Sequence, residues 1–297
     1  MIFLRRLILV ALITWCGALS AAQTDDAENL KISAVEALMA APPERALPIV
    51  SKVLRGNGSA ELKERALFVL SQIDLPEAHS LLVDMASSGD RRVRLQAIRT
   101  IGIGGDQETL SSLADIYTDG DAETRKAVLQ AYLIADDSEA VYRIAVNADN
   151  AEDAEKAVKT LGAMGALDEL RNLRDRPDLA GALIDAYAVA GDVESLTVLA
   201  TDNSDPERQA QAIHGLGIAG GDDIGDVLVN IYRSTDLPKI RDAALEGLQI
   251  ADDDNAVLEL FKESSEPAEK RELLQMLVNM ESDAVWDMID RTLENGE

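Results

Sequence analysis

Residues 90–106 read DRRVRLQAIRTIGIGGD. In this stretch Asp90 precedes an amphipathic segment in which Ala97 and Ile101 lie one helical turn apart on the same face. Two glycines and a second acidic residue, Asp106, follow. Short side-chain oxygens are typical of helix N-caps, and glycine is typical of helix ends. The stretch therefore predicts one capped helix followed by the start of another.

The same pattern recurs along the chain with a period near 30 residues. The residues equivalent to Ala97, called anchors below, are Ala66, Ala97, Ala127, Ala157, Ala182, Ala212, Ala244 and Leu273. A second small or apolar residue follows each anchor after four positions. A single helical hairpin cannot bury its apolar face, whereas a stack of hairpins buries a continuous seam. The sequence predicts an all-α fold, an α-solenoid built as a superhelical stack of about eight helical hairpins.

Residues typical of helix N-caps and of first helical turns recur at matching positions in these repeats. The caps predicted before the second helix of each hairpin are Ser59, Asp90, Asp121, Asn150, Asp175, Asp205, Asp236 and Glu266. The caps predicted before the next hairpin are Asp106, Asp136, Asp192, Asp222, Asp253 and Asp283. Proline is expected in the first turn of three helices, at Pro206, Pro238 and Pro267. One spacing of only 25 residues predicts a shortened helix near Arg171 to Pro177.

Segments such as Asp90 to Asp106, and Asp205 to Gly220, resemble HEAT repeats, especially the short HEAT-like repeats of phycobilisome lyases. The resemblance covers roughly residues 45–290 and implies an α-solenoid whose second helices line the concave face. It also implies a ladder of Asp and Arg side chains between neighbouring repeats, which Asp90 with Arg94 fits and Asp236 with Arg241 fits approximately. Thr124, Ala154 and Leu179 replace the arginine in other repeats, so the ladder is expected to be interrupted there. Proteins with this fold bind unrelated partners, so the resemblance does not define a function.

Composition excludes several function classes. Among 297 residues, 54 acidic side chains outnumber 28 basic ones, and the formal net charge is -26. A chain this acidic is repelled by nucleic acid and by anionic lipid headgroups, so no nucleic-acid partner is expected. One cysteine excludes a disulfide framework and a thiolate zinc cluster. The two histidines, His79 and His214, stand too far apart in a linear repeat array to share a metal ion.

The N-terminus has the pattern of a secretory signal peptide. Residues 1–22 contain two arginines, then an apolar core too short for a membrane span, and end in Ser-Ala-Ala. Cleavage there predicts a periplasmic or secreted protein with no membrane insertion of the mature chain. Lipid attachment at Cys16 is disfavoured because Trp15 precedes it, where a small residue is normally required. Residues 23–42 are expected to form an N-terminal capping segment, and residues 43–297 the repeat solenoid.

No catalytic, cofactor-binding or metal-binding residues are predicted. The sequence has no nucleophile elbow, no glycine-rich phosphate loop after a strand and no His-Glu-x-x-His motif. Acidic clusters such as Asp252-Asp253-Asp254 lack the spacing of a calcium loop and fall on cap positions. We therefore expect a non-enzymatic protein without a cofactor. Two alternatives stay open: an accessory protein of the HEAT-like lyase or chaperone type, and an acidic cation-binding spacer.

One face of the second helices has a charge opposite to that of the whole chain. At 100° per residue, positions −1, +2 and +6 from each anchor lie opposite the buried stripe. In the first four repeats, positions −1 and +2 carry five bases and no acid. The candidate partner-binding groove comprises Arg65, Phe68, Arg99, Ile103, Lys126, Leu129, Leu133, Lys156 and Lys159.

This pattern has two interpretations. In the first, the groove binds a protein or peptide that is acidic or amphipathic. In the second, the lysine and arginine stems only pack along the helices and offset the acidic surface. The sequence does not predict an oligomeric state.

Overall fold

The computed structural model describes residues 26–221, 223–282, 285–286, 289–290 and 293. The predicted signal peptide at 1–22, Cys16 and the predicted caps Asp222 and Asp283 lie outside the described residues. No strand occurs in the part of the chain that is described. The described chain divides into two compact units after Asp136, a division that the repeat pattern does not predict.

The first unit contains eight described helices. They are α1 (residues 26–36), α2 (Pro43–Arg55), α3 (Ala60–Leu70), α4 (Pro76–Ser88), α5 (Arg91–Gly104), α6 (Gln107–Ser111), α7 (Leu113–Asp119) and α8 (Ala122–Ala135). A short 3-10 turn, Ala37–Ala40, follows α1. The second helices of successive hairpins, α3, α5 and α8, pack side by side, while α4 packs on α5 and α7 on α8.

The second unit repeats this arrangement. Its helices are α9 (Ser138–Asn147), α10 (Ala151–Met164), α11 (Leu167–Asn172), α12 (Ala180–Ala190), α13 (Val193–Ala200), α14 (Pro206–Ala219), α15 (Ile224–Ser234), α16 (Pro238–Ile250), α17 (Asp254–Glu263) and α18 (Pro267–Asn279). Helices α10, α12, α14 and α16 pack in succession, each against the first helix of its own hairpin. Both units therefore have the repeating hairpins of the predicted all-α solenoid class.

The predicted stripe forms the core. All eight residues four positions after the anchors are buried, including Leu70, Ile101 and Leu161. Seven anchors are buried as well, but Ala127 is only half-buried. In α8 the buried stripe is centred on Val128 and Tyr132, so this helix is turned about its axis relative to the prediction.

Most predicted N-caps are confirmed. The side chains of Ser59, Asp90, Asp106, Asp121, Asn150, Asp192, Asp205 and Asp253 each accept a hydrogen bond from a backbone amide in the first turn of a helix. Such a cap contributes about 0.5–2 kcal/mol. The three prolines lie in the first turns of α14, α16 and α18, as predicted.

Three predicted caps are wrong, and a fourth is incomplete. Asp136 adopts a left-handed backbone (φ 56°) at the end of α8, and the following residue caps α9 instead. Asp175 lies before a 3-10 turn, Pro177–Leu179, that leads into α12. Leu237 takes the N-cap position predicted for Asp236, because α16 begins at Pro238, and the leucine side chain makes no capping hydrogen bond. Glu266 occupies the N-cap position of α18, but its side chain makes no capping hydrogen bond.

Glycine permits two close helix contacts that the repeat pattern does not predict. A Cβ at Gly102 would lie 2.6 Å from the Cα of Ala131, and one at Gly162 would lie 2.8 Å from the Cα of Ala186. These distances are shorter than any ordinary carbon contact, so a side chain would force the helices apart. Gly102 therefore sets the approach of α5 to α8, and Gly162 that of α10 to α12.

The charged ladder runs between neighbouring repeats in the first unit. Lys63 Nζ lies 2.9 Å from Asp90 Oδ2, and Arg94 Nη2 lies 3.3 Å from Asp121 Oδ2. The ladder position expected for Asp236 with Arg241 is wrong, because Arg241 pairs with Glu269 of the next repeat. The short repeat contains the six-residue helix α11, which confirms the predicted shortening.

Candidate partner-binding surface

Six of the nine predicted groove residues form an exposed surface on the first unit. This basic surface comprises Arg65 and Phe68 of α3, Arg99 and Ile103 of α5, and Lys126 and Leu133 of α8. Its apolar side chains are well exposed, at 64% for Ile103, 47% for Phe68 and 38% for Leu133. Because α3, α5 and α8 are successive neighbours, each of the three helices contributes one exposed base and one exposed apolar side chain to this surface.

Leu129 does not belong to this surface. The prediction placed it opposite the buried stripe, but its side chain is only 5% exposed. The turn of α8 about its axis moves position +2 into the core and leaves Ala127 partly exposed. Leu129 therefore stabilises the fold and is not available to a partner.

A cavity of about 540 Å³ lies beside the basic surface, between α5 and α8. Two predicted residues, Arg99 and Leu133, line it. The other lining residues do not belong to the predicted groove, and they include Glu64, Arg92, Leu95, Gln96, Ala127, Gln130 and Ile134. The volume falls within the range typical of ligand pockets, roughly 300–1,000 Å³. Apolar side chains from α5 and α8, together with charged and amide side chains, give it a mixed lining.

The bases of this surface differ in how they are paired. Arg65 Nε lies 3.0 Å from Glu36 Oε1, and Arg92 at the cavity edge pairs with Glu64. In contrast, no described acidic side chain lies within 4.0 Å of the charged groups of Arg99 or Lys126. Exposed pairs are weak, at about 0–1 kcal/mol, so a partner carboxylate can also compete for Arg65. Arg99 and Lys126 are the two cations most available to a partner.

The last two predicted bases lie in the second unit. Lys156 and Lys159 are both on α10, and Lys159 has no described acidic side chain within 4.0 Å. Lys156 Nζ lies 2.7 Å from Glu152 Oε1 and 3.7 Å from Asp153 Oδ1. The hydrogen bond with Glu152 is the main cause that raises the pKa of Lys156. The five predicted bases therefore fall in two separate units, three in the first and two in the second.

Among the described residues, no group of three or more His, Cys, Asp or Glu side chains is arranged to hold a metal ion. His79 Nδ1 lies 2.7 Å from Asp106 Oδ2, and His214 is exposed on α14. No helix in this part of the chain combines the length and apolar composition needed to cross a bilayer.

Comparison with known proteins supports the helical-repeat class. Residues 47–133 match the family model of HEAT repeats, which confirms the resemblance for α3, α5, α8 and the helices between them. None of the curated proteins matches the sequence.

Two solved structures are similar to most of the chain. One is human deoxyhypusine hydroxylase in complex with glycerol, at 15% identity and a TM-score of 0.34, covering 79% of this chain and 98% of that one. The other is the complex of CpcE and CpcF of phycocyanin lyase from Nostoc sp. PCC7120, at 16% identity and a TM-score of 0.32, covering 80% and 94%. The names hydroxylase and lyase belong to those two proteins and are not assigned to this chain.

Proposed function

We propose that this protein is an exported, non-enzymatic scaffold that binds an acidic, amphipathic segment of a partner protein on the basic surface of its first unit. One observation carries the proposal. Arg99 and Lys126 have no described acidic side chain within 4.0 Å of their charged groups, and their helices also carry the exposed apolar side chains of Ile103 and Leu133.

The charge of this surface favours an acidic partner. The chain carries about two acids for every base, whereas the six residues of the basic surface include three bases and no acid, and the nearby acids Glu36 and Glu64 each pair with an arginine. Complementary charge steers association and fixes the register of a bound segment. The acidic remainder of the surface repels an acidic partner that approaches elsewhere.

The apolar side chains favour an amphipathic partner over a purely acidic one. Ile103 and Leu133 lie on neighbouring helices, and Leu133 lines the cavity between them. At roughly 25 cal/mol per Å², burial of about 100 Å² of apolar area contributes about 2.5 kcal/mol, which exceeds the about 0–1 kcal/mol of one exposed ion pair. An amphipathic helix with apolar residues three or four positions apart is a common occupant of such a groove.

Export is part of the same proposal. Residues 1–22 carry the pattern of a cleavable signal peptide, and the chain after them contains no cysteine. Removal of that segment takes away two arginines and no acids, which changes the formal charge from -26 to -28. A cysteine-free chain is compatible with an oxidising compartment. The partner is therefore expected in the periplasm or outside the cell.

The test is affinity capture from the envelope extract of the source cells, with residues 23–297 as bait. The test bait carries Arg99→Glu and Lys126→Glu. The control bait carries Arg45→Glu and Lys52→Glu, which change the charge equally on exposed positions of α2. All baits must show the same helicity. A protein retained by the wild-type and control baits and lost by the test bait supports the proposal. Identical captures by all three baits contradict it.

A further inference from the structure

A second cavity lies within the second unit, at the shortened repeat. It has a volume of about 400 Å³, and three arginines, Arg171, Arg174 and Arg208, line it together with one acid, Glu194. The arginines come from α11, from the segment after it and from α14. Their convergence follows from the short repeat, because α11 ends after six residues and the chain reaches α12 through a 3-10 turn.

One of these arginines has a structural role. Arg171 binds the buried carboxylate of Asp192 through two hydrogen bonds, of 2.9 Å and 2.7 Å, and a third hydrogen bond of 3.1 Å reaches Glu194. These two acids offset its charge. Arg171 therefore fixes the wall of the cavity and is the least available of the three to a ligand.

The other two arginines have only distant partners. Arg174 Nε lies 4.0 Å from Asp175 Oδ1, and Arg208 Nε lies 3.9 Å from Asp205 Oδ2. Both distances exceed that of a hydrogen bond, and both acids are exposed to water. The two guanidinium groups can therefore donate to a ligand without first breaking a strong ion pair.

The rest of the lining is largely apolar. Leu183 and Ile184 of α12 are buried and form the floor, whereas Val198 of α13 is 65% exposed at the mouth. An exposed valine over a buried aliphatic floor is suited to the hydrocarbon part of a ligand. Small-molecule sites commonly combine such a lining with a few charged groups, and about 400 Å³ is a sufficient volume.

We infer that this cavity binds a small organic anion in which a carboxylate is attached to an apolar body. Arg174 and Arg208 bind the carboxylate, because the planar guanidinium donates paired hydrogen bonds that match its two oxygens. Leu183, Ile184 and Val198 contact the apolar body. This site lies in the second unit and does not depend on partner binding by the basic surface.

The test measures binding of octanoate, below its micelle concentration, by isothermal titration calorimetry on residues 23–297. The uncharged probe of equal chain length is 1-octanol. The test variant carries Arg174→Gln and Arg208→Gln. The matched control carries Arg143→Gln and Arg271→Gln, exposed positions of α9 and α18 that do not line the cavity.

We expect the dissociation constant of octanoate to rise about tenfold or more in the test variant and to stay unchanged in the control. Binding of 1-octanol should be weaker than that of octanoate in the wild type and equal in both variants. Equal octanoate affinity in the two variants, or no octanoate binding to the wild type, overturns the inference.

A third substitution tests the apolar contact. Val198→Asp leaves both arginines in place and adds a charge at the mouth, so it should also weaken octanoate binding. Unchanged affinity in this variant would place the ligand elsewhere and overturn the assignment.

Two further probes distinguish the source of the carboxylate. The first probe, N-acetyl-Leu-Leu with a free carboxylate, represents the C-terminal end of a peptide. The second probe is the same peptide with a C-terminal amide, which lacks the negative charge. Tighter binding of this peptide than of octanoate, lost in the amide and in the test variant, assigns the site to peptide ends. The reverse order assigns it to fatty-acid-like molecules.

Discussion

Arg171 and Asp192 form a bidentate ion pair, with Nε 2.9 Å from Oδ2 and Nη2 2.7 Å from Oδ1. Asp192 is buried and also caps α13, where it accepts hydrogen bonds from the amide and hydroxyl of Ser195. This pair joins the shortened helix α11 to the next hairpin. It replaces, at the irregular repeat, the ladder contacts that Lys63 and Arg94 make in the first unit.

Asp192→Asn should lower the free energy of unfolding by about 2 kcal/mol. The substitution removes the charge that holds Arg171, although the asparagine can still cap α13. Glu194→Gln is the control, because that carboxylate also binds Arg171 but is largely exposed, and its loss should cost less than about 0.5 kcal/mol. Urea unfolding followed by circular dichroism measures both. Equal losses for the two variants would show that the buried pair has no special role.

The contribution of Asp192 should depend on pH in a defined direction. Burial raises the pKa of its carboxyl, but hydrogen bonds from Arg171 and Ser195 outweigh burial and hold the pKa below its ordinary value of 3.8. A carboxyl whose pKa is lower in the folded state than in the unfolded state stabilises the folded state. This contribution is complete at pH values above the pKa of the unfolded state, and it is lost as the pH falls through the pKa of the folded state.

The stability difference between wild type and Asp192→Asn should therefore stay constant from about pH 5 to pH 8. It should shrink as the pH falls below about 4, where the unfolded and then the folded carboxyl becomes protonated. Urea titrations at a series of pH values test this. A difference that grows toward low pH would contradict the assigned direction.

Gly102→Ala should destabilise the first unit by about 1–3 kcal/mol. The new Cβ would lie 2.6 Å from the Cα of Ala131, so α5 and α8 must separate. Gly104→Ala in the same helix is the control, because its Cβ meets no atom within 4 Å. That variant should be neutral or stabilising by up to about 1 kcal/mol, since alanine favours the helix. Thermal unfolding of both variants gives the comparison, and similar melting temperatures would contradict the account.

Leu129→Ala and Leu133→Ala should separate core from surface on α8. Leu129→Ala should lower the free energy of unfolding by about 2–4 kcal/mol, because loss of this buried side chain leaves a cavity. Leu133→Ala should lower the free energy of unfolding by less than about 1 kcal/mol, because this side chain is partly exposed, but it should weaken partner capture. Denaturant unfolding measures the first effect and affinity capture the second. Equal stability losses would mean that α8 is not turned as described.

The repeats could be predicted because their signals are local. Anchors, caps and prolines recur within single hairpins, so the period fixes the helices without knowledge of their contacts. The burial of Leu129 could not be predicted in this way, because the turn of α8 depends on its neighbours. Gly102 was missed for a related reason, since it contacts a residue nearly 30 positions later.

The candidate sites were predictable only in part. Arg99, Lys126 and Leu133 followed from helical geometry, which gives the exposed face of each second helix. The second cavity was not foreseen, because Arg174 and Arg208 converge from separate elements. A partial signal was present, because two of the cavity's arginines, Arg171 and Arg174, belong to a run of three arginines within residues 171–176 of a strongly acidic chain. From the sequence, that segment predicted only an irregular repeat with a shortened helix.

The most direct test of the central claim measures the affinity of a captured partner for purified residues 23–297 at several salt concentrations. We predict that Arg99→Glu with Lys126→Glu weakens binding about tenfold or more, that Arg45→Glu with Lys52→Glu has little effect, and that added salt weakens binding of the wild type. Equal affinity for the two double variants would contradict the claim that the basic surface binds the partner.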